Sequence, residues 1–484
     1  MRVTSTQTSA NSPRLATVGA NRLVRLLGEW ADGEGSMHGR LASAVRHLVL
    51  TGAIGSGTRM PSERALATAL GISRNTIGKA FDQLRGDGLF TSRQGDGTYV
   101  TAGRRHLAVG DDRLRSFVVG PERPSLQIDL RSAAMPGLPM VADSVNLLDG
   151  RRMRSLVAMH GYIPSGLVEL REAVADYYSA RGLETEPDQI AVTSGAQQAL
   201  RLVASTLAEA GQTAVVEEPT FRGAIESLRS LGLRLVAVPS GPDGVDVDAL
   251  AALMEHERPA MVVLQSTVHN PTGSVLDPFR RRRVAHLATR FDVPVIDDAT
   301  LSDTVLDGDR RPLPLATGSE RIITIGSVSK SFWGGLRVGW VRAPADLVER
   351  LAAAKGGEDL GTSLIAQLLA AQLLPDIEAA RDERHAALWS ARRSALDLLA
   401  TELPDWTPQV PAGGASLWVR LPAAVAPAFV HRAARAGVQI LPGPTFSIAD
   451  GFEDHVRLSY ANGVESTARG IEVLARVWEE FAAV

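Results

Sequence analysis

The sequence contains no cysteine among its 484 residues. Disulfides, thiolate metal ligands and cysteine nucleophiles are therefore excluded together, and we expect no metal site. Long apolar runs are missing too, since none reaches the roughly 18 residues that a membrane-spanning helix needs. The polar N-terminus also lacks the apolar segment of a secretory signal, so we expect a cytoplasmic protein with no membrane partner.

The charge is distributed unevenly along a chain of otherwise ordinary composition. Hydrophobic residues make up 45% of the chain and charged residues 22%, which is typical of a globular protein, and the length predicts several domains. Residues 38–101 carry eight basic and four acidic side chains, a local charge of +4 in a chain whose net charge is −3. A small basic segment on an acidic body favours a nucleic-acid-binding module attached to something else.

The N-terminal part has the pattern of three helices and a hairpin. Residues 1–36 are interpreted as a polar tail followed by a short helix. In residues 37–102, "GRLASAVRHLVLTG", "PSERALATAL" and "SRNTIGKAFDQLRGDG" have apolar residues at helical spacing, and "LFTSRQGDGTYVT" predicts two short strands around a glycine-rich tip. This order predicts a winged helix-turn-helix; the alternative is a helical cap on the larger domain.

Residues 103–125 show no sustained period and are interpreted as a linker. From residue 126 to 484, strand-like runs such as "AMVVLQST" and "VPVIDDAT" alternate with helical stretches. This alternation predicts a large, mostly parallel α/β lobe, and the longer helices and fewer strands after about residue 374 predict a smaller α+β lobe.

The stretch "SVSKSFWGGLRVGW" places Lys330 after a predicted buried strand. A lysine between serines is commonly a solvated side chain, but other residues of this chain match what pyridoxal phosphate requires. The cofactor needs an amine, a carboxylate for its ring nitrogen, a donor for its phenolate oxygen, a flat ring partner and an anion site for its phosphate. The candidates are Lys330 for the amine, Asp297 for the carboxylate, Asn270 for the donor, Phe221 for stacking, and Ser194, Gly195, Ala196, Gln197, Ser327 and Arg337 for the phosphate.

From about residue 128 onward, these motifs in this order resemble the fold-type I, aspartate-aminotransferase-like proteins that bind pyridoxal 5'-phosphate. The resemblance implies that Lys330 forms an aldimine with the cofactor, that Asp297 pairs with its ring nitrogen, and that Asn270 donates to its phenolate oxygen. It also implies that Ser327 and Arg337 bind the phosphate. Arg457 in "HVRLSYA" corresponds to the arginine that holds a substrate carboxylate; the alternative is an ordinary arginine on a strand edge.

Three positions depart from the pattern of working aminotransferases. Such enzymes usually have a tyrosine two or three residues after the ring-nitrogen aspartate, where this chain has Ala299 and Thr300. Phe221 stands where relatives often have tyrosine, and Tyr162 falls one residue closer to its glycine than the tyrosine that usually reaches across the dimer. We therefore expect cofactor binding with slow or vestigial transamination.

Residues 37–101 resemble the winged-helix domains of GntR-type regulators, through "MPSERALATALGISRNTIGKAFDQLRGDG" and the wing "SRQGDGTYV". The resemblance assigns DNA contacts to the helix starts and to the wing tip. The residues are Arg64, Ser73, Arg74, Asn75 and Thr76 at the helix starts, and Gln94 and Gly95 at the tip.

A GntR-type head on an aminotransferase-like body is the organisation of the MocR group of regulators, which this sequence resembles over nearly its whole length. The resemblance implies a homodimer that binds a double-stranded DNA operator and senses either an amino compound or pyridoxal phosphate itself. One alternative is an active aminotransferase that carries a DNA-binding head. Another is a body that has lost its cofactor.

Overall fold

The computed structural model describes residues 17–28, 30, 36–50, 54, 58–86, 89–93, 97–100, 128–308 and 311–482. The chain forms two compact units, Met1–Arg123 and Pro124–Val484. Within the described residues, no helix is both long enough and apolar enough to cross a membrane. The predicted linker and the predicted wing tip, with Gln94 and Gly95, lie outside the described residues.

The N-terminal unit has the predicted winged helix-turn-helix fold. Its elements are α1 (Ala20–Leu27), α2 (Met37–Leu50), α3 (Glu63–Leu70), α4 (Arg74–Gly86), β1 (Phe90–Arg93) and β2 (Gly97–Val100). Ser62 caps the start of α3, since its Oγ accepts from the backbone N–H of Ala65 at 3.2 Å, and Gly71, in the left-handed conformation, caps its end. Strands β1 and β2 pair antiparallel, and Arg59 adds a bridge to Tyr99 at the edge of this hairpin.

The hydrophobic core of this unit extends further towards the N-terminus than residue 37. Val18, Leu23 and Leu27 are buried in the same cluster as Ile77 and Phe81 of α4. The spacing of Leu23 and Leu27 places both side chains on one face of α1. Helix α1 is therefore part of the winged-helix core, whereas the sequence pattern suggested a separate segment before it.

The larger unit is built on an eight-stranded sheet. Its strands are β4 (Ile190–Thr193), β5 (Thr213–Glu218), β6 (Arg234–Gly241), β7 (Gly244–Val245), β8 (Met261–Leu264), β9 (Val295–Asp298), β10 (Ile322–Ser327) and β11 (Gly339–Arg342). Their order is β4-β11-β10-β9-β8-β5-β6-β7, in which β11 and β7 run antiparallel to their neighbours. The other adjacent pairs are parallel, so the mostly parallel large lobe is confirmed.

Helices cover both faces of this sheet. They are α5 (Pro139–Asn146), α6 (Gly150–Val157), α7 (Val168–Ser179), α8 (Ala196–Leu207), α9 (Arg222–Ser230), α10 (Val247–Glu257), α11 (Pro278–Phe291), α12 (Ala345–Glu358) and α13 (Leu364–Leu373). Successive side chains of a strand point to opposite faces of the sheet, so they belong to two different hydrophobic cores. Val262 of β8 packs with Val284 of α11, whereas Val263 packs with Val203 of α8. Burial on both faces explains why these strands are continuously apolar.

The smaller lobe packs helices against a short antiparallel sheet, which confirms the α+β prediction. Its elements are β3 (Ile128–Asp129), α14 (Ile377–Glu402), β12 (Thr407–Gln409), β13 (Ser416–Arg420), α15 (Ala426–Arg435), β14 (Val438–Gln439), β15 (Leu441–Pro442), β16 (His455–Ser459) and α16 (Val464–Ala482). The main sheet has the order β12-β13-β16-β15, so β16 is an interior strand. Helix α14 contributes Ala380 to the core of the large lobe and Leu388 to that of the small lobe, and it therefore joins the two.

Candidate functional site

Lys330 lies in a one-turn π helix, Ser329–Trp333, directly after β10. Such turns are rare and occur frequently at functional sites. The Lys330 Nζ atom donates to the carbonyl oxygen of Ala133 at 2.9 Å. Lys330 lines a small cavity together with His269, Asn270 and the segment 413–416. The lysine is therefore held inside the fold, which disfavours its interpretation as a solvated side chain.

The surroundings of Lys330 favour its neutral form. Burial of the amine and the nearby charges of Arg457 and Arg384 lower the pKa of Lys330 to about 8, against an opposing effect of Asp298. The Arg384 guanidinium donates to the carbonyl oxygens of Pro136 and Phe332, both at 2.6 Å. Because Phe332 belongs to the π helix, Arg384 holds that turn against the segment that contains Pro136. A desolvated lysine beside other cations is the usual form of an activated amine nucleophile.

Two consecutive aspartates end β9 in different environments. Asp297 is buried, and its two carboxylate oxygens accept from the backbone N–H of Ser266 at 3.0 Å and from the Ser266 hydroxyl at 2.9 Å. Asp298 accepts from the Thr300 hydroxyl at 2.5 Å, and its charge acts on Lys330. Burial raises the pKa of both carboxyl groups. Asp297 remains the predicted partner of a ring nitrogen, and Asp298 is a second carboxylate near the amine that sequence reasoning missed.

The predicted phosphate site joins β4 to the start of α8. Gly195 adopts a φ of +102°, and Ala196 and Gln197 open the helix behind it. The Arg337 Nη2 atom donates to the carbonyl oxygen of Ser194 at 2.7 Å. This φ favours glycine there, and a Cβ atom on residue 195 would also lie 2.9 Å from that Nη2 atom. Backbone N–H groups at a helix start beside an arginine suit a phosphate group.

Ser327, predicted as a phosphate ligand, is buried at the end of β10. Its hydroxyl lies 2.9 Å from both the Ser329 hydroxyl and the Val338 carbonyl oxygen. The same hydroxyl accepts from the backbone N–H of Ser329 at 3.2 Å. In this structure Ser327 therefore links the π turn to the loop that carries Arg337.

Arg457 is buried in the interior strand β16, with 1% of its surface exposed. Its Nη1 atom donates to Asn270 Oδ1 at 3.0 Å, and its guanidinium lies 4.9 Å from the ring centre of Phe446. This position excludes an ordinary arginine on a strand edge. Arg457, Asn270 and Lys330 therefore belong to one cluster, as their predicted roles require.

Phe221 caps the start of α9 and is half-buried. Its ring occupies the space above Gly223, where an added Cβ atom would lie 2.5 Å from a ring carbon. Thr300 stands near the position of the missing tyrosine, and its hydroxyl is already donated to Asp298. A phenol is absent at both Ala299 and Thr300, as the sequence shows.

An ion pair between a buried lysine and an exposed aspartate, beside the predicted phosphate site, was missed by sequence reasoning. Lys355 is fully buried, and its Nζ atom contacts the two carboxylate oxygens of Asp359 at 2.8 and 2.6 Å. The same amine donates to Gln198 Oε1 at 3.2 Å, and that oxygen accepts from the backbone N–H of Ser194 at 2.7 Å. The rarity of lysine could have drawn attention to Lys355, because the sequence has only three lysines, Lys79, Lys330 and Lys355.

Four of the predicted DNA-contacting residues, Ser73, Arg74, Asn75 and Thr76, lie at the start of α4. The Ser73 Oγ atom accepts from the backbone N–H of Thr76 at 3.1 Å and therefore caps the helix. Arg74 and Asn75 are exposed, and the Arg74 Nε atom lies 3.4 Å from a carboxylate oxygen of Glu63. Arg64 is exposed in the first turn of α3. Because the Arg74 ion pair is solvent-exposed, it contributes little and leaves the arginine available for DNA.

This combination of a winged helix-turn-helix with a lysine-centred site of fold type I defines a class of two-part proteins. Residues 38–100 match the gntR family of bacterial regulatory proteins, and residues 138–473 match aminotransferase class I and II. The residues of the site fit the cofactor of that fold, pyridoxal 5'-phosphate, because they supply an amine of lowered pKa, buried carboxylates and an anion site at a helix start.

Curated transcriptional regulators are similar to this chain. The chain is 27% identical over 470 residues to the HTH-type transcriptional regulator YisV of Bacillus subtilis, covering 90% of this chain and 95% of YisV. It is 30% identical over 340 residues to the rhizopine catabolism regulatory protein MocR of Rhizobium meliloti, covering 66% of this chain and 67% of MocR. The protein belongs to the MocR-type transcriptional regulators, with a GntR-family head and an aminotransferase class I and II body.

A solved structure supports the architecture of the body. The α-aminoadipate aminotransferase LysN of Thermus thermophilus, solved with N-(5'-phosphopyridoxyl)-L-leucine, has a TM-score of 0.67 and 26% identity. The match covers 78% of this chain and 98% of LysN. The body of this regulator therefore has the fold of an enzyme that holds a phosphopyridoxyl group.

Proposed function

We propose that this regulator holds pyridoxal 5'-phosphate covalently on Lys330 and changes its DNA binding when a small amino compound, or the cofactor itself, binds. The cofactor supplies an electrophilic carbon to which amines attach reversibly. The rest of the proposal concerns what the side chains of this chain do around it.

One observation carries the proposal: Lys330 and Asn270 line the same cavity, and the buried Arg457 guanidinium donates to Asn270, so the three form one cluster. The lowered pKa of Lys330, about 8, gives the amine a larger neutral fraction at neutral pH than an ordinary lysine has, whereas Arg457 keeps its charge although burial lowers its pKa to about 10. A neutral amine can bind a carbonyl group, and a buried cation can hold a carboxylate. This pairing fits an effector that carries both an amine and an acid.

Exposed apolar side chains support the proposed homodimer. Leu147, Val157, Met159 and Tyr162 are 69%, 77%, 47% and 58% exposed on the segment that holds α5 and α6. Several large apolar side chains exposed on one segment indicate an interaction surface. In an isologous dimer this surface of one protomer would pack against the same surface of its partner. Such a dimer would present two winged helices to the two half-sites of a DNA operator. Analytical ultracentrifugation of the full chain should give a dimer mass, and a monomer at micromolar concentration would contradict this part of the proposal.

The regulatory proposal is tested by footprinting the purified protein on the DNA upstream of its own gene. The footprint should change when pyridoxal phosphate and then a panel of amino acids and amines are added. Lys330→Met should keep the basal footprint and lose the response, because the amine is removed while the apolar stem is retained. Arg469→Met, which removes an exposed cation of α16 that does not line the cavity, is the control. A response that persists in Lys330→Met would refute sensing through this lysine.

An active aminotransferase with a DNA-binding head is the second candidate. The identity to LysN over the body favours it, whereas the lack of a phenol at Ala299 and Thr300 disfavours it. A missing donor weakens transition-state stabilisation more than cofactor binding. Steady-state turnover therefore separates the two functions.

A further inference from the structure

Helix α1 carries a basic outer face beside the DNA-reading helices. Leu23 and Leu27 point into the winged-helix core, and Arg22 and Arg25 are exposed. The two arginines are three residues apart, so they lie on one face of the helix, turned away from the core. The helix sequence, ANRLVRLL, contains no acidic residue that could neutralise them.

The backbone fixes the direction of α1. Thr17 forms a parallel bridge with Arg59, and the Val18 N–H donates to the Arg59 carbonyl oxygen at 3.1 Å. The two segments therefore run side by side in the same direction from this point. Helix α1 begins at Ala20, three residues after the bridge residue Thr17. Helix α3 begins at Glu63, four residues after the bridge residue Arg59. The N-terminal ends of α1 and α3 therefore lie at the same end of the unit.

That end of α3 carries Arg64, for which the GntR-type resemblance implies a DNA contact. Helix α1, which begins at that end, adds two exposed guanidinium groups to the same unit. Duplex DNA presents a phosphate charge about every 1.7 Å along its axis, so it suits a row of exposed arginines. An acidic protein surface would also attract them, but their place in the winged-helix unit, on a helix that begins at the same end as α3, favours the duplex that a winged helix binds.

We propose that Arg22 and Arg25 of α1 bind backbone phosphates of the operator, adjacent to the phosphates contacted at the start of α3. This inference rests on the proposed DNA binding and adds a contact surface to the GntR-type head. The contacts are independent of base sequence, because phosphates carry no sequence information directly. They therefore contribute to affinity and orientation and leave the choice of operator to α4 and the wing.

The test is the salt dependence of DNA binding by the full-length protein. Arg22→Gln with Arg25→Gln should lower the slope of log affinity against log salt concentration by about 0.9 for each phosphate that is no longer neutralised, with about two such phosphates per head. Affinity for the operator and for unrelated duplex DNA should fall by the same factor. Hydroxyl-radical footprinting should show weaker protection of the backbone at the edge of the site.

Two controls separate this phosphate binding from simpler effects. Arg469→Gln with Arg476→Gln removes the same charge from exposed positions of α16, and it should leave the slope unchanged. Arg22→Lys with Arg25→Lys keeps the charge and should retain the wild-type slope. If the double glutamine variant lowers the thermal midpoint, each single variant should still lower the slope by about one.

The outcomes distinguish this inference from the proposed function. A wild-type slope in the double glutamine variant, with Arg74→Ala still impaired, would overturn the role of α1 and leave the regulator assignment intact. An equal decrease in the α16 control would show that net charge alone is responsible, which also overturns it. If the wild-type protein binds no duplex DNA, the proposed function itself fails.

Discussion

The Lys330 amine should react with an aldehyde at neutral pH far faster than an ordinary lysine. Burial and the neighbouring arginines lower its pKa from 10.5 to about 8. At pH 7 the neutral fraction is then about 9%, against about 0.03% for an unperturbed lysine, which is a gain of about 300-fold. Only the neutral amine is a nucleophile, so the initial rate should rise about tenfold per pH unit and level off near pH 8.

The assay uses borohydride trapping followed by peptide mass spectrometry. The protein without cofactor is mixed with pyridoxal, whose lack of a phosphate removes the contribution of the anion site. Labelling of exposed Lys79 gives the reference for an ordinary lysine in the same tube. In the Lys355→Met variant, pyridoxal should label Lys330 at the wild-type rate. A midpoint near 10.5, or equal initial rates at Lys79 and Lys330, would refute the electrostatic argument.

Arg384 provides a second test of the same cause. Its charge lowers the pKa of Lys330, so Arg384→Met should move the midpoint of the rate profile to higher pH and slow labelling at pH 7. Arg384→Lys keeps a cation and should restore most of the low midpoint. A structural role alone would change stability in both variants without this difference in the pH profile.

Three further outcomes are expected. Gly195→Ala should weaken pyridoxal phosphate binding by about 1–3 kcal/mol, because of backbone strain and the 2.9 Å approach to Arg337; Gly211→Ala, at a φ of +92° with open space, is the control for strain alone in a fluorescence titration. Arg74→Ala should lower operator affinity by about 1–3 kcal/mol in fluorescence anisotropy, whereas Lys79→Ala should weaken all sequences alike. Turnover with a panel of amino donors and keto acids should stay below about 1 s⁻¹, and a rate in the usual enzymatic range would favour the aminotransferase.

The parts of the site that the sequence could predict are those whose geometry is local. The cap by Ser73, the turn at Gly195 and the strand before Lys330 each depend on a few consecutive residues, and the structure has them where the patterns indicate. The order of the motifs then identifies the fold. Parallel strands bring their carboxyl ends to one edge of a sheet, so residues far apart in sequence meet there without further information.

The parts that the sequence could not predict depend on side-chain direction and long-range packing. Asp297 and Asp298 are the same residue type. Only the direction in which β9 points each side chain decides that Asp297 accepts from Ser266 and that the charge of Asp298 acts on Lys330. Lys355 reaches Gln198 from a helix 157 positions away, a pairing that no local pattern contains. Helix α1 looked like a separate segment because its partner residues, in α3 and α4, follow much later in the chain.

The charges around Lys330 explain why the site suits a sensor of small acids. Arg457 is buried beside the cavity, where it donates to Asn270 Oδ1 and to the Arg131 carbonyl oxygen, and the charge of Asp129 also acts on it. A buried cation attracts an anion more strongly than an exposed one does, because little water competes. A carboxylate that binds there would also relieve the repulsion that lowers the pKa of Lys330. Effector binding at Arg457 and the protonation of Lys330 are therefore linked, so each must shift the other by the same free energy.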